Sequence, residues 1–298
     1  MKKNRVLSAV LCALLLTGCT VSAPGRTNQE TQDKTISKIS AEDFTSFGGC
    51  AALRHAGQLT AAAATGSKVE KAANRISFYG SSDEAWQRLM RGELDVVLAY
   101  APDASTAQAL EKQGISPKVA GTDALVFLAG GTVQPQSLTR AQISAAYRNG
   151  GTEQWKGYAA APGSSARQLF ADQFGGDDMG VTVTEGETVL TAACPHTAGS
   201  LCCTTYLALR ERSQPQGTAL VAVDGTLPEE TTLPEPGTSE ESAYPLQTNY
   251  YIACRSGLDK DNPAMLFYNW LTSESGRNWL YQATIGTEAA AAGEAAAS

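Results

Sequence analysis

Between about residue 40 and residue 286, apolar positions follow two spacings that take turns along the chain. Continuous or nearly continuous apolar runs predict strands at residues 75–79, 94–100, 123–129, 219–223 and 249–254. The runs at 94–100 and 123–129 lack polar alternation, the pattern of a strand covered on both faces. Between the runs, apolar residues at three- and four-residue spacing predict helices. Ala85, Trp86, Leu89 and Met90 mark one, opened by Gly80-Ser81-Ser82-Asp83 and closed by Gly92. An Ala-rich stretch over 50–65, an amphipathic segment over 138–147 capped by Thr139, and a pair at 263–271 and 274–281 broken at Thr272-Ser273 mark others. Phe44-Thr-Ser-Phe-Gly-Gly49 reads as a glycine-containing loop. Strands alternating with helices place the chain in the α/β class.

One further stretch carries chemistry as well as pattern. Residues 161–174 run from a Pro162-Gly163 break into a helix whose apolar face is Leu169, Phe170 and Phe174, ended by Gly175-Gly176. Ser164 or Ser165 is its N-cap. A helix start leaves backbone N–H groups unpaired and carries partial positive charge. With two hydroxyls and the Arg167 guanidinium beside it, this helix start suits an oxyanion. The plainer alternative is that the serines only cap the helix.

The N-terminus adds a location. Met1 to Arg5 is basic, and Val6 to Leu16 is apolar but too short to span a bilayer. Leu16-Thr17-Gly18-Cys19 follows and resembles a bacterial lipobox, in which the peptide is cut before the cysteine and that cysteine is acylated. The expected domains are a signal peptide at 1–18 and a flexible Thr/Ser/Gln-rich tether at 19–39, then the globular part, then an Ala-rich tail at 287–298. The whole chain has 23 basic and 30 acidic residues. Removing the signal peptide takes away Lys2, Lys3 and Arg5 and no acid, leaving 20 against 30, or −10. That excess argues against a nucleic-acid partner, though not against a small anion held by local donors.

Several segments, in order, resemble the phosphate-binding family of solute-binding proteins that serve ABC importers. They are Gly92-Glu-Leu-Asp95-Val-Val-Leu-Ala, Asp123-Ala-Leu-Val-Phe127, Leu138-Thr-Arg-Ala-Gln-Ile143 with Tyr147, Gly151 and Trp155, Pro162-Gly-Ser-Ser-Ala-Arg167, Val223-Asp-Gly225, Tyr244-Pro-Leu246 and Ser273-Glu-Ser-Gly276. The resemblance implies a type II periplasmic-binding-protein fold: lobe I at 40–125 with 245–286, lobe II at 126–244, and a ligand cleft between them. It implies a small anion ligand, phosphate first, and an ABC permease as partner; the lipobox implies a lipid anchor at the outer face of the membrane, and a monomer is expected. In open α/β sheets ligands bind beyond the carboxyl ends of strands. The candidate ligand residues are therefore Thr45, Ser46, Gly80, Ser81, Ser82, Tyr100, Ser164, Ser165 and Arg167, with Cys19 for lipidation. The chain departs from the family where Ser165-Ala166 replaces a Gly-Thr pair, where Tyr100 replaces an Asp that accepts a proton from monobasic phosphate, and in the loosely matching loop at Phe44. These departures leave open a larger phosphorylated or carboxylated solute, or a sensor or adhesion role.

No cofactor is expected. Cys50, Cys194, Cys202, Cys203 and Cys254 remain after processing besides Cys19. Outside the cytoplasm Cys194 can pair with Cys202 or Cys203, and buried free thiols or a metal held with His196 are the other readings. Enzymatic motifs are missing: the segment at Ser164 lacks the second glycine of a nucleophile elbow, and no Ser-x-x-Lys, Gly-x-Gly-x-x-Gly or phosphate-loop signature occurs. The lipobox reading is checked by Cys19→Ser. The expected outcome is uncut precursor or protein released from the membrane fraction. Processed protein that stays membrane-bound would show the reading to be wrong.

Overall fold

The computed structural model of the chain describes residues 39–131, 137–159, 163–176, 182–183, 198–212, 214–229, 232–235 and 243–286. The signal peptide, Cys19, the tether, the tail, Ala161, Pro162, Cys194 and His196 lie outside the described residues.

Strand β1 (Phe47–Cys50) leads through a 3-10 turn (Ala51–Leu53) into helix α1 (Arg54–Thr65) and then α2 (Val69–Ala73). Strand β2 (Ile76–Tyr79), helix α3 (Ser82–Met90), strand β3 (Val96–Tyr100) and helix α4 (Ala104–Lys112) follow. The long strand β4 (Lys118–Gly130) is succeeded by β5 (Ser137–Leu138), α5 (Arg140–Ala146), β6 (Lys156–Ala159), α6 (Ser165–Phe174) and β7 (Thr182–Val183). Then come β8 (Ser200–Thr205), α7 (Tyr206–Arg212), β9 (Thr218–Leu220), β10 (Ala222–Val223), β11 (Gln247–Cys254), α8 (Pro263–Leu271) and α9 (Glu274–Thr284).

The main sheet runs β2-β1-β3-β11-β4-β8-β6-β7, with β9 also on β4. β1, β2 and β3 are parallel, β11 is antiparallel to β3 and β4, and β6 is parallel to β8 and β7. β4 belongs to both halves. Its residues 118–124 pair with β11, and from Leu125 to Ala129 it pairs with β8. At the switch, Leu125 N–H donates to the Leu246 carbonyl at 3.0 Å, and Tyr244 Oη donates to the Leu125 carbonyl at 2.9 Å. A second chain crossing therefore lies beside the first. Arg140 fastens it: its guanidinium donates to the carbonyls of Pro245 (3.2 Å) and Gln173 (2.7 Å) and lies over the Phe174 ring.

The runs read as doubly covered strands are buried on both faces. On β3, Val97 and Ala99 pack with Trp86, Leu89 and Leu110, while Val96, Leu98 and Tyr100 pack into the larger core. In the second half, Phe127, Tyr147, Phe170 and Phe174 form an aromatic cluster, and Tyr147 Oη donates to the Leu201 carbonyl at 2.9 Å.

Two sequence expectations change here. Residues 47–50, read as the end of a loop and the start of a helix, are strand β1, and the α-helix begins only at Arg54. Gly48 and Gly49 look like loop residues, yet they serve close approach between central strands. A Cβ on Gly49 would stand 2.4 Å from the Leu98 carbonyl oxygen. The cysteines also separate: Cys202 is disulfide-bonded, whereas Cys50, Cys203 and Cys254 are buried thiols outside any disulfide. Cys203 is thus not a disulfide partner, and among the described residues no His/Cys/Asp/Glu cluster of metal-binding size occurs.

Gly121 on β4 lies under the fully buried ring of Tyr250 on β11, and a Cβ there would fall 2.0 Å from Tyr250 Oη. Because that ring has no room to retreat, Gly121→Ala is expected to destabilise the fold by about 1–3 kcal/mol. Urea unfolding followed by circular dichroism measures it, and a loss under about 0.5 kcal/mol, the range of an ordinary surface change, would contradict this account of the packing.

Candidate functional site

β1, β2 and β3 point the same way, so their carboxyl ends share one edge of the sheet. Beyond it start the 3-10 turn into α1, the Gly80–Ser82 loop into α3 and the Ala101–Asp103 segment into α4. Against these the second half brings the amino end of α6. This helix touches the 3-10 turn, and the Gln168 side-chain amide donates to the Ala101 carbonyl at 3.0 Å. Farther along, Gln173 donates to the Gln247 carbonyl at 3.3 Å.

At the α6 end, Ser164 is the cap, accepting from Arg167 N–H at 3.4 Å. Ser165 is the first helical residue and is 1 % exposed, and among the described residues its hydroxyl has no hydrogen-bond partner. Arg167 is buried at 9 % exposure. A buried hydroxyl left unpaired costs on the order of 1–3 kcal/mol, which a ligand oxygen would recover. At α3, Ser81 accepts from Glu84 N–H (3.0 Å) and Ser82 from Tyr100 N–H (3.2 Å). Each bond uses a lone pair of the serine oxygen and leaves its O–H proton to give. The serines of both halves are thus arranged as donors at helix amino ends, where negative charge is favoured.

Tyr100 does not join them. Its ring is fully buried, and its hydroxyl donates to Asp123 Oδ2 at 2.6 Å. Burial, the nearby Asp123 charge and this bond hold the phenol well above its ordinary pKa. Its only proton is spent inside the sheet. Asp123 also accepts from the N–H groups of Ala124 (2.7 Å) and Leu207 (3.0 Å), and burial nevertheless pushes its carboxyl up to about 6. In the sequence this residue is visible as the acid that opens the apolar run at 123–129, as Asp95 stands near the start of the run at 94–100.

Thr45 and Ser46 are placed at the opposite edge, before the amino end of β1. Thr45 Oγ1 donates to Asp95 Oδ2 at 2.9 Å, Ser46 N–H to the same oxygen at 3.3 Å, and Ser46 Oγ to the Glu93 carbonyl at 2.9 Å. Arg255, just past β11, pairs with the other Asp95 oxygen. Since β1 starts at Phe47, the position that reaches the carboxyl edge is Cys50 with Ala51–Leu53, not Thr45–Ser46. The two residues brace strand starts and stand apart from the serine cluster.

Two carboxylates flank the junction of the halves. Asp83 on α3 is raised by burial, then by Asp103 and by Asp172 of α6, while Asp172 is raised by burial. Asp103 is held low by the Thr106 N–H and Ser105 hydroxyl bonds that make it the cap of α4.

No protein-family model and no curated protein sequence matches the chain. Solved structures do. A Clostridium perfringens protein described as a phosphate ABC transporter substrate-binding protein, with phosphate bound, superposes with a TM-score of 0.59 at 15% identity over 78% of this chain and 95% of its own. An ABC-type phosphate transport receptor from Vibrio cholerae gives 0.57 at 16% identity over 79% and 96%. A protein from Planctomyces limnophilus, described as a possible phosphate binding protein, gives 0.50 at 15% identity over 86% and 97%. At these identities the likeness establishes the fold: an α/β, two-lobe type II periplasmic-binding-protein fold. The first two of these structures are of substrate-binding proteins, not enzymes.

The Asp95 brace supplies a control for the site. Burial alone would raise the Asp95 pKa, but the bonds from Arg255, Thr45 and Ser46 outweigh it and lower it. A lowered folded-state pKa stabilises the fold at neutral pH, and that contribution is lost as pH falls through the titration. The pair is partly exposed, so Arg255→Ala is expected to cost only about 1 kcal/mol at neutral pH and less near pH 3. Anion affinity should stay unchanged. Denaturation at the two pH values with calorimetry on the same variant checks both, and a change in anion affinity would put the brace back into the site.

Proposed function

We propose that this protein captures a small oxyanion between its lobes, phosphate being the leading candidate, and hands it to an ABC importer permease. In this reading it is a monomer, anchored through Cys19 on the extracytoplasmic face of the membrane. The observation that carries the ligand reading is the buried Ser165 hydroxyl at the α6 amino end, without a hydrogen-bond partner among the described residues, with Arg167 buried two residues on. A tetrahedral oxyanion there accepts from that hydroxyl, from the free N–H groups of the helix start and from the guanidinium. Ser81 and Ser82 supply O–H donors from the other lobe. Contact with both lobes exists only when they are together, so the ligand favours the closed form. The likeness to phosphate-transport proteins supports this reading.

Phosphate at neutral pH keeps a proton, whereas sulfate does not. A carboxylate at the end of β3 would accept that proton and repel sulfate. Here the residue is Tyr100, and its hydroxyl is turned away to Asp123. Phosphate and sulfate are therefore expected to bind within about tenfold of each other.

Calorimetry with phosphate, sulfate, phosphonates and small organic acids tests the reading. Arg167→Ala, with its circular dichroism unchanged, is expected to weaken anion binding by tenfold to a hundredfold, the worth of roughly 1.5–3 kcal/mol for a charge-assisted bond. An unchanged dissociation constant would leave the serines as helix caps only. Silence toward every anion would favour the sensor or adhesion role.

A further inference from the structure

The carboxylate of Asp123 stands where β4 changes partners. Asp123 is opposite Thr248 of β11, and two residues on Leu125 is opposite Thr205 of β8. Its two oxygens reach beyond its own strand in two directions. Oδ2 takes the Tyr100 hydroxyl proton from β3, and Oδ1 takes the N–H of Leu207, the second residue of α7, which leaves the second-lobe strand β8. The Thr205 hydroxyl lies near both Tyr100 and Asp123 and favours the charged form of each. α7 then packs back on α1 and the 3-10 turn, with Arg210 donating to the Ile285 carbonyl at 3.0 Å. One side chain therefore ties a first-lobe strand, the crossover strand and the exit of a second-lobe strand at the point about which the lobes would turn.

We propose that Asp123 is a proton-operated latch: ionised, it holds β3 and the start of α7 on the crossover strand and keeps the lobes together, and on taking up a proton it lets them part.

The charge is what makes the latch strong. Hydrogen bonds to a charged acceptor are worth about twice those to a neutral one. A protonated Asp123 also has its own O–H to place, which forces the Tyr100 hydroxyl to turn. Among the described residues no cation pairs with Asp123. The titratable groups that face it are Tyr100 from β3 and Tyr250 from β11, with Cys50 of β1 beside Tyr100. On the helices nearby, His55 of α1 lies close enough to Glu211 and Arg210 of α7 to feel their charges. The tyrosines stay neutral throughout, so the carboxyl titrates alone among them. With the folded value near 6 and the unfolded value near the ordinary 3.8, the folded protein binds the proton first between these limits. Acidification through that window adds this group's contribution to the stability of the fold, and it weakens the latch because the parted form, with Asp123 still buried but without the Tyr100 and Leu207 donors, binds the proton more tightly than the joined one. These opposite signs separate the latch from general acid unfolding.

The test uses ligand-free protein at about pH 7.5 and about pH 5. Small-angle X-ray scattering reads the lobe separation, and amide exchange at Leu207, corrected for its intrinsic pH dependence, reads the bond itself. Wild type is expected to expand at the lower pH and to lose about tenfold of Leu207 protection. Asp123→Asn, uncharged at both pH values, is expected to show the same dimensions and the same protection at both. Tyr100→Phe, which keeps the carboxylate but removes its hold on β3, is expected to be expanded already at about pH 7.5. A wild type that does not respond, or an Asp123→Asn variant that responds equally, overturns the proposal. If Asp123→Asn does not fold, Tyr100→Phe decides alone, and a variant as compact as wild type at about pH 7.5 overturns it.

Discussion

A strand shared between two halves of a molecule has to satisfy a different neighbour at each end, and β4 does so within 13 residues. Every buried N–H and carbonyl along it needs a partner. β11 supplies them over the first part and β8 over the second, and at Leu125 the segment at 244–246 fills in. Because the strand is covered on both faces through most of its length, it is apolar almost throughout, and the acid within it stands out. A buried carboxylate is costly unless its oxygens are bonded. Asp123 meets that condition with three donors and gives back geometry: it joins β3, β4 and α7.

The same economy governs the edge where the helices of both halves begin. Its hydroxyls do double duty. Ser81, Ser82 and Ser164 use lone pairs to stop helices from fraying or to hold a strand end, and their protons remain free for use. Ser165, one residue into its helix, has no such structural bond. A negatively charged chain can hold an anion because local donors and helix ends set the potential at a site, not the total charge. The acidic residues near the junction, Asp83 and Asp172, carry raised pKa values from the crowding that brings the halves together.

Legibility in the sequence followed the range of the interaction. Caps at Ser81, Thr139 and Ser164 were readable because a side chain and an amide three residues away form a local unit. Doubly covered strands at 94–100 and 123–129 were readable because burial on both faces removes polar alternation. β1 was not, since Gly48 and Gly49 signal a turn locally and reveal their packing role only against Leu98 and Ser77 of neighbouring strands. That single error carried Thr45 and Ser46 to the wrong edge of the sheet.

By itself, then, the sequence determined the α/β class, the periodic elements, most helix starts and the donor-rich beginning of α6, all of which depend on residues within a few positions of one another. Tertiary structure alone decided which end of β1 reaches the edge where the helices begin, which of Cys202 and Cys203 enters a disulfide and which oxygen the Tyr100 hydroxyl meets. The Tyr100–Asp123 bond spans 23 residues and the Asp123–Leu207 bond 84. Such partners are fixed by strand order and register, and an apolar run carries the same pattern whichever neighbour it meets.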